Sequence, residues 1–306
     1  MKKILVILAI LLACKSSFAQ QQQQYFWALN QSSCSILGID SLPTSIYSFR
    51  QLNSCRYSGN CVTVRRQSDS ATSTFAFING FVDTAGIKSF IGSSDAYVKY
   101  FYDQTGHGDT MTQTIIASQP KIATAGALLY KGGHLCIQFD GTNDYLVKIN
   151  GSRFEDENTS IFSVGNRTGG IAFGAVIPLI EYLRPTSGGA IFNMFPASNR
   201  SASAHYASTG GGYVETDIGT ATTNLSLSTS IFYYPSFMVS DGTSTNTSSM
   251  TGAITGFTNP CVGIGAYLRS ATNYYAGQLC EAILYNTDRR TERTIIEANI
   301  KSYYGL

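Results

Sequence analysis

Carboxylate side chains that could act as an acid and a base are few in this chain, and four of them are candidates for catalysis. Glu215 and Asp217 are two residues apart, so on a strand they would lie on one face. Glu181 and Asp103 are the other two. Cleavage of a glycosidic bond needs two carboxyl groups, about 5–5.5 Å apart for retention of configuration and about 6.5–9.5 Å apart for inversion. The sequence does not show which loops meet, so the catalytic assignment stays open.

A polar run at the end of a predicted strand offers groups that could bind sugar hydroxyls. Asp and amide side chains also satisfy the backbone of turns, and that interpretation is favoured for Asp103 and Gln104. Tyrosine faces can stack on sugar rings. The sugar-binding candidates are Tyr102, Asp103, Gln104, His107, Asp144, Tyr145 and Tyr267.

The segment 140–144 is rich in hard oxygen donors. Asp140, Asn143 and Asp144 are of the type that Ca²⁺ prefers. The same residues form ordinary turns, and the turn interpretation is favoured. No cofactor is expected otherwise, with Ca²⁺ as the alternative.

The N-terminus predicts export. Lys2 and Lys3 precede a short apolar run, and Ala19 closes a cleavage site, so residues 1–19 are typical of a Sec-type signal peptide. The mature chain would be secreted, periplasmic or on the cell surface. A minor alternative is a lipoprotein with Cys14 lipidated. No later run of the sequence is long and apolar enough for a membrane-spanning helix.

Six cysteines remain after that cleavage, and an even number in an exported chain suggests disulfides. Cys55 and Cys61 bracket five residues and could staple a tight loop. The alternative for any of the six is a buried thiol. The disulfide candidates are Cys34, Cys55, Cys61, Cys136, Cys261 and Cys280.

Composition excludes several classes. Of the 306 residues, 43% are hydrophobic, which suffices for a large core, and only 13% are charged. The net charge is +2 without a basic block, so nucleic acid is not an expected partner.

The elements that must position these groups are mostly strands. Short runs alternate with period two and end at Gly, Asn, Asp or Ser, which is typical of an all-β sandwich or jelly roll. We expect residues 20–42 to form a leader and the first strand region, and 43–306 to form a single domain. The clearest runs are 61–64, 97–102, 135–139, 160–164, 231–239, 261–264 and 279–285.

Two helices are predicted. Asp83 can cap a short helix over 83–91, with Gly92 just past its end. The second helix is C-terminal, from about 288 to 303, and its apolar face should pack on the sheet. The residues expected on that face are Ile295, Ile296, Asn299, Ile300 and Tyr303.

Several motifs, in order, resemble the catalytic domain of α-L-arabinofuranosidase B, a concanavalin-like β-sandwich. They include Tyr102-Asp103-Gln104-Thr105-Gly106 and Phe139-Asp140-Gly141-Thr142-Asn143-Asp144-Tyr145. The end of the chain, 281–306, is similar to the last strand and helix of laminin-G-like jelly rolls. The resemblance covers about 43–150 and 260–306, and it implies a polysaccharide or glycan partner.

The family's catalytic motifs are missing. Its nucleophile lies in an Asp-x-Glu-Asn run, and by order that slot falls near 188–195, which holds no carboxylate. Its general acid follows Gly-Ile-Gly-Gly, whereas here Gly263-Ile264-Gly265-Ala266 leads to Tyr267. We therefore expect an exported carbohydrate-recognising module that is catalytically silent. The alternatives are an active α-L-arabinofuranosidase-type glycoside hydrolase and a structural or adhesive surface protein.

Overall fold

The computed structural model describes residues 37–39, 41–149, 158–168, 179–183, 190–194, 202–207, 213–218, 224–250, 261–266 and 273–306. The expected signal peptide, Cys14, Cys34 and Tyr267 lie outside the described residues. No helix of the described part has the length and apolar character needed to span a membrane.

The predicted all-β fold is confirmed, and every pairing between described strands is antiparallel. In chain order the strands are β1 (Ser45–Ser48), β2 (Asn60–Arg66), β3 (Thr72–Ile78), β4 (Phe81–Val82), β5 (Ala96–Phe101), β6 (Met111–Thr112), β7 (Lys121–Thr124), β8 (Ala127–Leu128), β9 (Tyr130–Lys131), β10 (His134–Leu135), β11 (Ile137–Asp140), β12 (Leu146–Lys148), β13 (Thr159–Arg167), β14 (Ile180–Leu183), β15 (Ala190–Met194), β16 (Ala202–Ala207), β17 (Tyr213–Ile218), β18 (Ser226–Tyr233), β19 (Ser236–Ser240), β20 (Thr245–Ser249), β21 (Cys261–Ile264) and β22 (Ala276–Tyr285).

The strands form two layers. The front sheet has the order β3-β2-β5-β7-β11-β22-β13-β18-β19-β20, and β1 continues beside β11 along the same edge of β22. The back sheet has the order β6-β12-β21-β14-β15-β16-β17. The end of β5 pairs with β6 and so joins the layers. The back sheet packs on the front one where β16 meets β18 and β19.

The main core lies between the two sheets. Val64 and Val98 of the front sheet and Val262 and Ile264 of the back sheet are fully buried in it. Because side chains alternate along a strand, Arg65 and Tyr97 lie on the opposite face of the front sheet. That outer face carries the candidate site.

A second apolar cluster covers part of the same outer face. It contains Phe162 of β13, Ile283 of β22, and Ile296 and Ile300 of the C-terminal helix. Each such buried side chain contributes about 1.5–3 kcal/mol of hydrophobic stabilisation. The described residues of β13 are therefore buried along its whole length, as in strands covered on both faces.

The short helix is confirmed as α1 (Thr84–Ile91). The Asp83 carboxylate accepts a hydrogen bond from the Gly86 N–H at 2.8 Å, which caps the first turn. Gly92 ends the helix with φ of 56°, a left-handed value that glycine adopts without strain.

The second helix, α2 (Arg293–Tyr304), begins five residues later than expected. The Asp288 carboxylate accepts hydrogen bonds from the backbone and the guanidinium of Arg290, which favours a turn there. The buried face of α2 consists of Ile296, Glu297, Ile300 and Tyr304. The expectations for Ile295 and Asn299 are wrong, because both side chains are exposed, Ile295 to 49%, one position round from the buried stripe.

Two apolar runs are interrupted. The run 231–239 is a hairpin of β18 and β19, because Pro235 occupies the turn between them. The run 135–139 splits at Cys136, with Leu135 pairing in the β9–β10 hairpin and Ile137 in the front sheet. Gly132 and Gly133, both with positive φ, form the tip of that hairpin.

The cysteines follow the disulfide prediction in part. Cys136 and Cys280 form a disulfide that ties the start of β11 to β22, and Cys55 is also disulfide-bonded. The predictions for Cys61 and Cys261 are wrong, since both keep their thiols. Cys61 points into the core from β2 and its thiol donates to the Ser48 carbonyl at 3.5 Å, so it cannot staple the loop to Cys55.

Candidate functional site

A cleft of about 520 Å³ opens on the outer face of the front sheet. Strands of that sheet supply its floor and two turns supply its rim. It is lined by Arg65, Gln67, Tyr97, Ile116, Ala117, Gln119, Lys121, Thr124, Gln138, Asp140 and Asp144.

The floor is one row of side chains across neighbouring strands. Arg65 of β2 lies opposite Tyr97 of β5, Tyr97 lies opposite Lys121 of β7, and Lys121 lies opposite Gln138 of β11. Directly opposed residues in antiparallel strands share a face. Four strands thus place a guanidinium, a phenol, an amine and an amide side by side.

The rim combines an apolar lip with an acidic turn. The apolar lip is a single 3₁₀ turn, Ile116–Ser118, which precedes Gln119 on one side of the cleft. Ile116 is 55% exposed there. Tyr97 is half-buried, so part of its ring faces the cleft.

Arg65 is fixed by amides and an aromatic ring. Its Nε donates to Gln119 Oε1 at 2.6 Å and its Nη1 to Gln67 Oε1 at 3.0 Å. Its guanidinium carbon lies 4.8 Å from the Tyr97 ring centroid. Burial lowers the pKa of Arg65.

The two arginines of β2 lie on opposite faces of the sheet and have different partners. Arg66, near the surface, pairs with Asp69 at 2.6 Å. The buried Arg65 is held by neutral amide groups instead.

The segment 140–144 is an acidic turn that closes one end of the cleft. Asp140 Oδ1 accepts hydrogen bonds from the backbone N–H groups of Thr142, Asn143 and Asp144 at 2.7, 3.1 and 3.3 Å. Asp144 Oδ2 accepts from the Asp140 N–H at 3.0 Å. These bonds agree with the favoured turn interpretation, whereas binding of Ca²⁺ by Asp140, Asn143 and Asp144 stays a prediction.

Asp144 has an unusual acidity for a carboxyl group. Burial, reinforced by the negative charge of Asp140, raises the pKa of Asp144 to about 7. In the floor of the cleft, Lys121 Nζ lies 2.9 Å from Asp95 Oδ2 and 5.5 Å from the Tyr97 ring centroid. With a pKa of about 7, the Asp144 carboxyl group is near the midpoint of its titration at neutral pH.

Most other sugar-binding candidates lie elsewhere. Gln104 is fully buried, and its amide bonds the Leu52 N–H and the Ser48 and Arg50 carbonyls. Asp103 accepts from the Ile46 and Thr105 N–H groups. These contacts serve the turn after β5, as favoured. Among the described candidates, Asp144 alone lines the cleft.

A separate cluster joins Asp103, His107 and Asp109, whose ligand atoms lie within 4.8 Å of one another. His107 Nδ1 lies 3.2 Å from the Thr44 carbonyl, and Lys148 Nζ lies 3.6 Å from Asp109 Oδ1. Burial raises the pKa of Asp103. The other two candidates nearby, Tyr102 and Tyr145, do not join this cluster: Tyr102 bonds the Thr63 hydroxyl at 3.0 Å.

The remaining catalytic candidates lie on the back sheet. Glu181 of β14 and Glu215 of β17 belong to one row of paired residues across four strands. The residues between them in this row are Phe192 of β15 and His205 of β16. Three strand spacings, about 14 Å, separate the backbones of Glu181 and Glu215. Asp217 lies two residues after Glu215 on β17, opposite Ser203 of β16.

Sequence reasoning missed Tyr97, Lys121, Gln138 and Gln119. Each of them lies at a polar position of an alternating strand or just before such a strand, and the sequence shows that alternation. The sequence does not show which strands become neighbours, so it could not predict that these side chains form one row.

The described residues form a jelly-roll-like β-sandwich with a polar groove on its front sheet, and one tyrosine lies in the floor of that groove. The sequence model of the α-L-arabinofuranosidase B catalytic domain family matches residues 42–175, which include every residue of the cleft. The resemblance to that domain is thereby confirmed over this range. No curated protein matches the chain in sequence.

Solved structures of arabinofuranosidases share the fold. An arabinofuranosidase complexed with arabinofuranosyl-α-1,2-xylobiose is 14% identical with a TM-score of 0.56, covering 85% of this chain and 62% of its own. A mutant GH54 α-L-arabinofuranosidase soaked with 4-nitrophenyl α-L-arabinofuranoside is 13% identical with a TM-score of 0.59, covering 85% and 63%. This chain thus spans about three fifths of the length of these relatives.

Proposed function

We propose that the chain is an exported carbohydrate-binding protein that recognises an arabinose-containing glycan in the cleft above Tyr97. The observation that carries the proposal is the floor of the cleft, where one half-exposed tyrosine ring lies between Arg65 and Lys121, with the Gln138 amide next in the same row. Sugar rings combine apolar C–H faces with in-plane hydroxyls. An aromatic platform bordered by amides and a guanidinium fits both features.

The choice of arabinose rests on resemblance. The family model covers all of the cleft, and one structural relative was solved with an arabinofuranosyl-xylobiose. Arabinan and arabinoxylan are therefore the polysaccharides of first choice. Export follows from the signal-peptide pattern of residues 1–19 and is part of the proposal.

Binding is favoured over hydrolysis because none of the four catalytic candidates, Asp103, Glu181, Glu215 and Asp217, lines the cleft. Asp103 is committed to a turn. The backbones of Glu181 and Glu215 are three strands apart. The sequence holds no Asp-x-Glu-Asn run.

One observation favours hydrolysis as the second candidate. Asp140 and Asp144 line the same cleft, and the pKa of Asp144 is raised to about 7, which suits a general acid. The three backbone N–H groups on Asp140 Oδ1 oppose a nucleophilic role for that oxygen, since they stabilise its charge.

A two-part assay separates the candidates. The purified chain, without reducing agent, is incubated with arabinan, arabinoxylan and 4-nitrophenyl α-L-arabinofuranoside while free arabinose is measured, and arabino-oligosaccharide binding is followed by calorimetry. We expect saturable binding without release of arabinose. Release that disappears in Asp144→Asn but persists in Asp69→Asn would establish the hydrolase instead, and absence of both binding and release would reject both.

A further inference from the structure

Arg65 carries a positive charge that the described part of the chain does not neutralise. The residue is 4% exposed and lines the cleft. Its hydrogen-bond acceptors are the neutral amides of Gln119 and Gln67. Among the described residues no carboxylate pairs with it, and its Nη2 makes no hydrogen bond.

Another largely buried guanidinium, that of Arg50 just after β1, shows the contrast. Arg50 is held by Glu281 through two hydrogen bonds of 2.7 and 2.8 Å, with the carboxylate fully buried. A guanidinium removed from water is costly unless an anion or several acceptors compensate it. Arg65 has only part of that compensation, and its free edge belongs to a cleft open to solvent.

We propose that the cleft takes an acidic glycan, with the carboxylate of a uronic acid bound at the free Nη edge of Arg65 while a sugar ring contacts the exposed part of Tyr97. The inference rests on the proposed glycan-binding function and names its ligand class. The planar fork of arginine matches a carboxylate through two parallel hydrogen bonds. The amine of Lys121 lies on the other side of the same ring, but its charge is already balanced by Asp95 at 2.9 Å.

The acidic turn does not oppose this arrangement at the Arg65 end. Asp140 lies on β11, three strands away from β2 in the sheet, or about 14 Å. Three N–H groups stabilise its charge locally. Asp144, in the same turn, is partly protonated near pH 7.

The test uses ligands that differ only in charge. Trigalacturonate and its methyl ester are titrated by calorimetry into the full chain at low salt, with arabinotriose as a neutral third ligand. We expect the acid to bind at least about tenfold more tightly than the ester, as for a charge-assisted bidentate contact. The preference should vanish in Arg65→Gln and fall partially in Arg65→Lys, which keeps the charge but not the fork.

Arg66→Gln is the matched control, because it is the next residue on β2, on the other face, and already paired with Asp69. It should keep the full preference, and near-ultraviolet circular dichroism checks the fold of each variant. Equal binding of acid and ester by the wild type, or an unchanged preference in both Arg65 variants, would overturn the acidic-ligand inference. Arabinotriose binding would then still support the glycan-binding function, whereas no binding of any ligand would reject both.

Discussion

Arg65 and Tyr97 lie directly opposite each other on antiparallel strands, with the guanidinium carbon 4.8 Å from the ring centroid. A cation over an aromatic face is worth about 0.5–1 kcal/mol when exposed and about 2 kcal/mol when desolvated. The contact holds the tyrosine ring in place from one side. The ring is therefore preorganised, and a ligand loses little free energy in ordering it.

Replacing the platform should remove most of the affinity. In Tyr97→Ala we expect glycan binding to weaken about tenfold, because ring contacts are worth about 0.5–1.5 kcal/mol beyond area burial. Calorimetry with an arabinoxylan oligosaccharide measures it. Tyr130→Ala is the control, since Tyr130 is also exposed but lies outside the cleft. Equal losses in the two variants would contradict a role specific to Tyr97.

The raised pKa of Asp144 should make stability depend on pH. The folded value is about 7, whereas an unfolded aspartate has a pKa of about 3.9. The folded state therefore holds the proton more tightly, so stability falls as pH rises from about 4 to 7. We expect Asp144→Asn to match the wild type near pH 4 and to melt at a higher temperature at pH 8.

Burial is the largest cause of the raised pKa of Asp144, and two charged neighbours modify it. The charge of Asp140 raises the pKa of Asp144 and that of Lys121 lowers it. Carbon-detected NMR of the Asp144 carboxyl should give a midpoint near 7. The carboxyl signal of Asp69 in the same spectra is the comparison. Its pKa is about 2, so it should not shift between pH 5 and 8. A midpoint near 4 for Asp144 would refute the assignment.

The buried ion pair between Arg50 and Glu281 should be important for stability. The Glu281 carboxylate also accepts a hydrogen bond from the Ser48 hydroxyl at 2.7 Å. The Tyr304 hydroxyl of α2 donates to Glu281 Oε2 at 3.4 Å. Glu281→Gln leaves the guanidinium without its counter-ion, so we expect a loss of about 3–5 kcal/mol in the free energy of unfolding. Denaturant titration measures it. Asp69→Asn, which breaks the exposed pair with Arg66, should change little, and equal effects would count against this account.

The disulfide between Cys136 and Cys280 closes a sequence separation of 144 residues. Its removal in the double variant Cys136→Ala, Cys280→Ala should cost about 2–5 kcal/mol. The midpoint of denaturant unfolding reports the loss. Cys61→Ala, which alters a buried thiol, is the control for loss of sulfur alone. An unchanged midpoint in the double variant would show that the bridge adds no stability.

Local signals predicted the elements that have local causes. Asp83 and Gly92 bound α1 as expected, because capping depends on neighbours within one turn. The run 261–264 coincides with β21. The hairpin at Pro235 was hidden, since apolar residues continue on both sides of it.

The cleft could not be predicted because it is a property of register. Arg65, Tyr97, Lys121 and Gln138 become neighbours only when four strands pair in one particular order. A one-residue slip of any strand would send its side chain to the core face. Composition and motif spacing carry no information about that order, so the candidates chosen from motifs missed most of the site.

The most direct measurement is a map of amide chemical shifts on the ¹⁵N-labelled chain during titration with arabinofuranosyl-xylobiose. The account predicts saturable shifts at Tyr97, Lys121 and Gln138, with the strands around Glu181 and Glu215 unaffected. Shifts confined to those back-sheet strands, or no shifts at millimolar ligand, would contradict binding in the cleft.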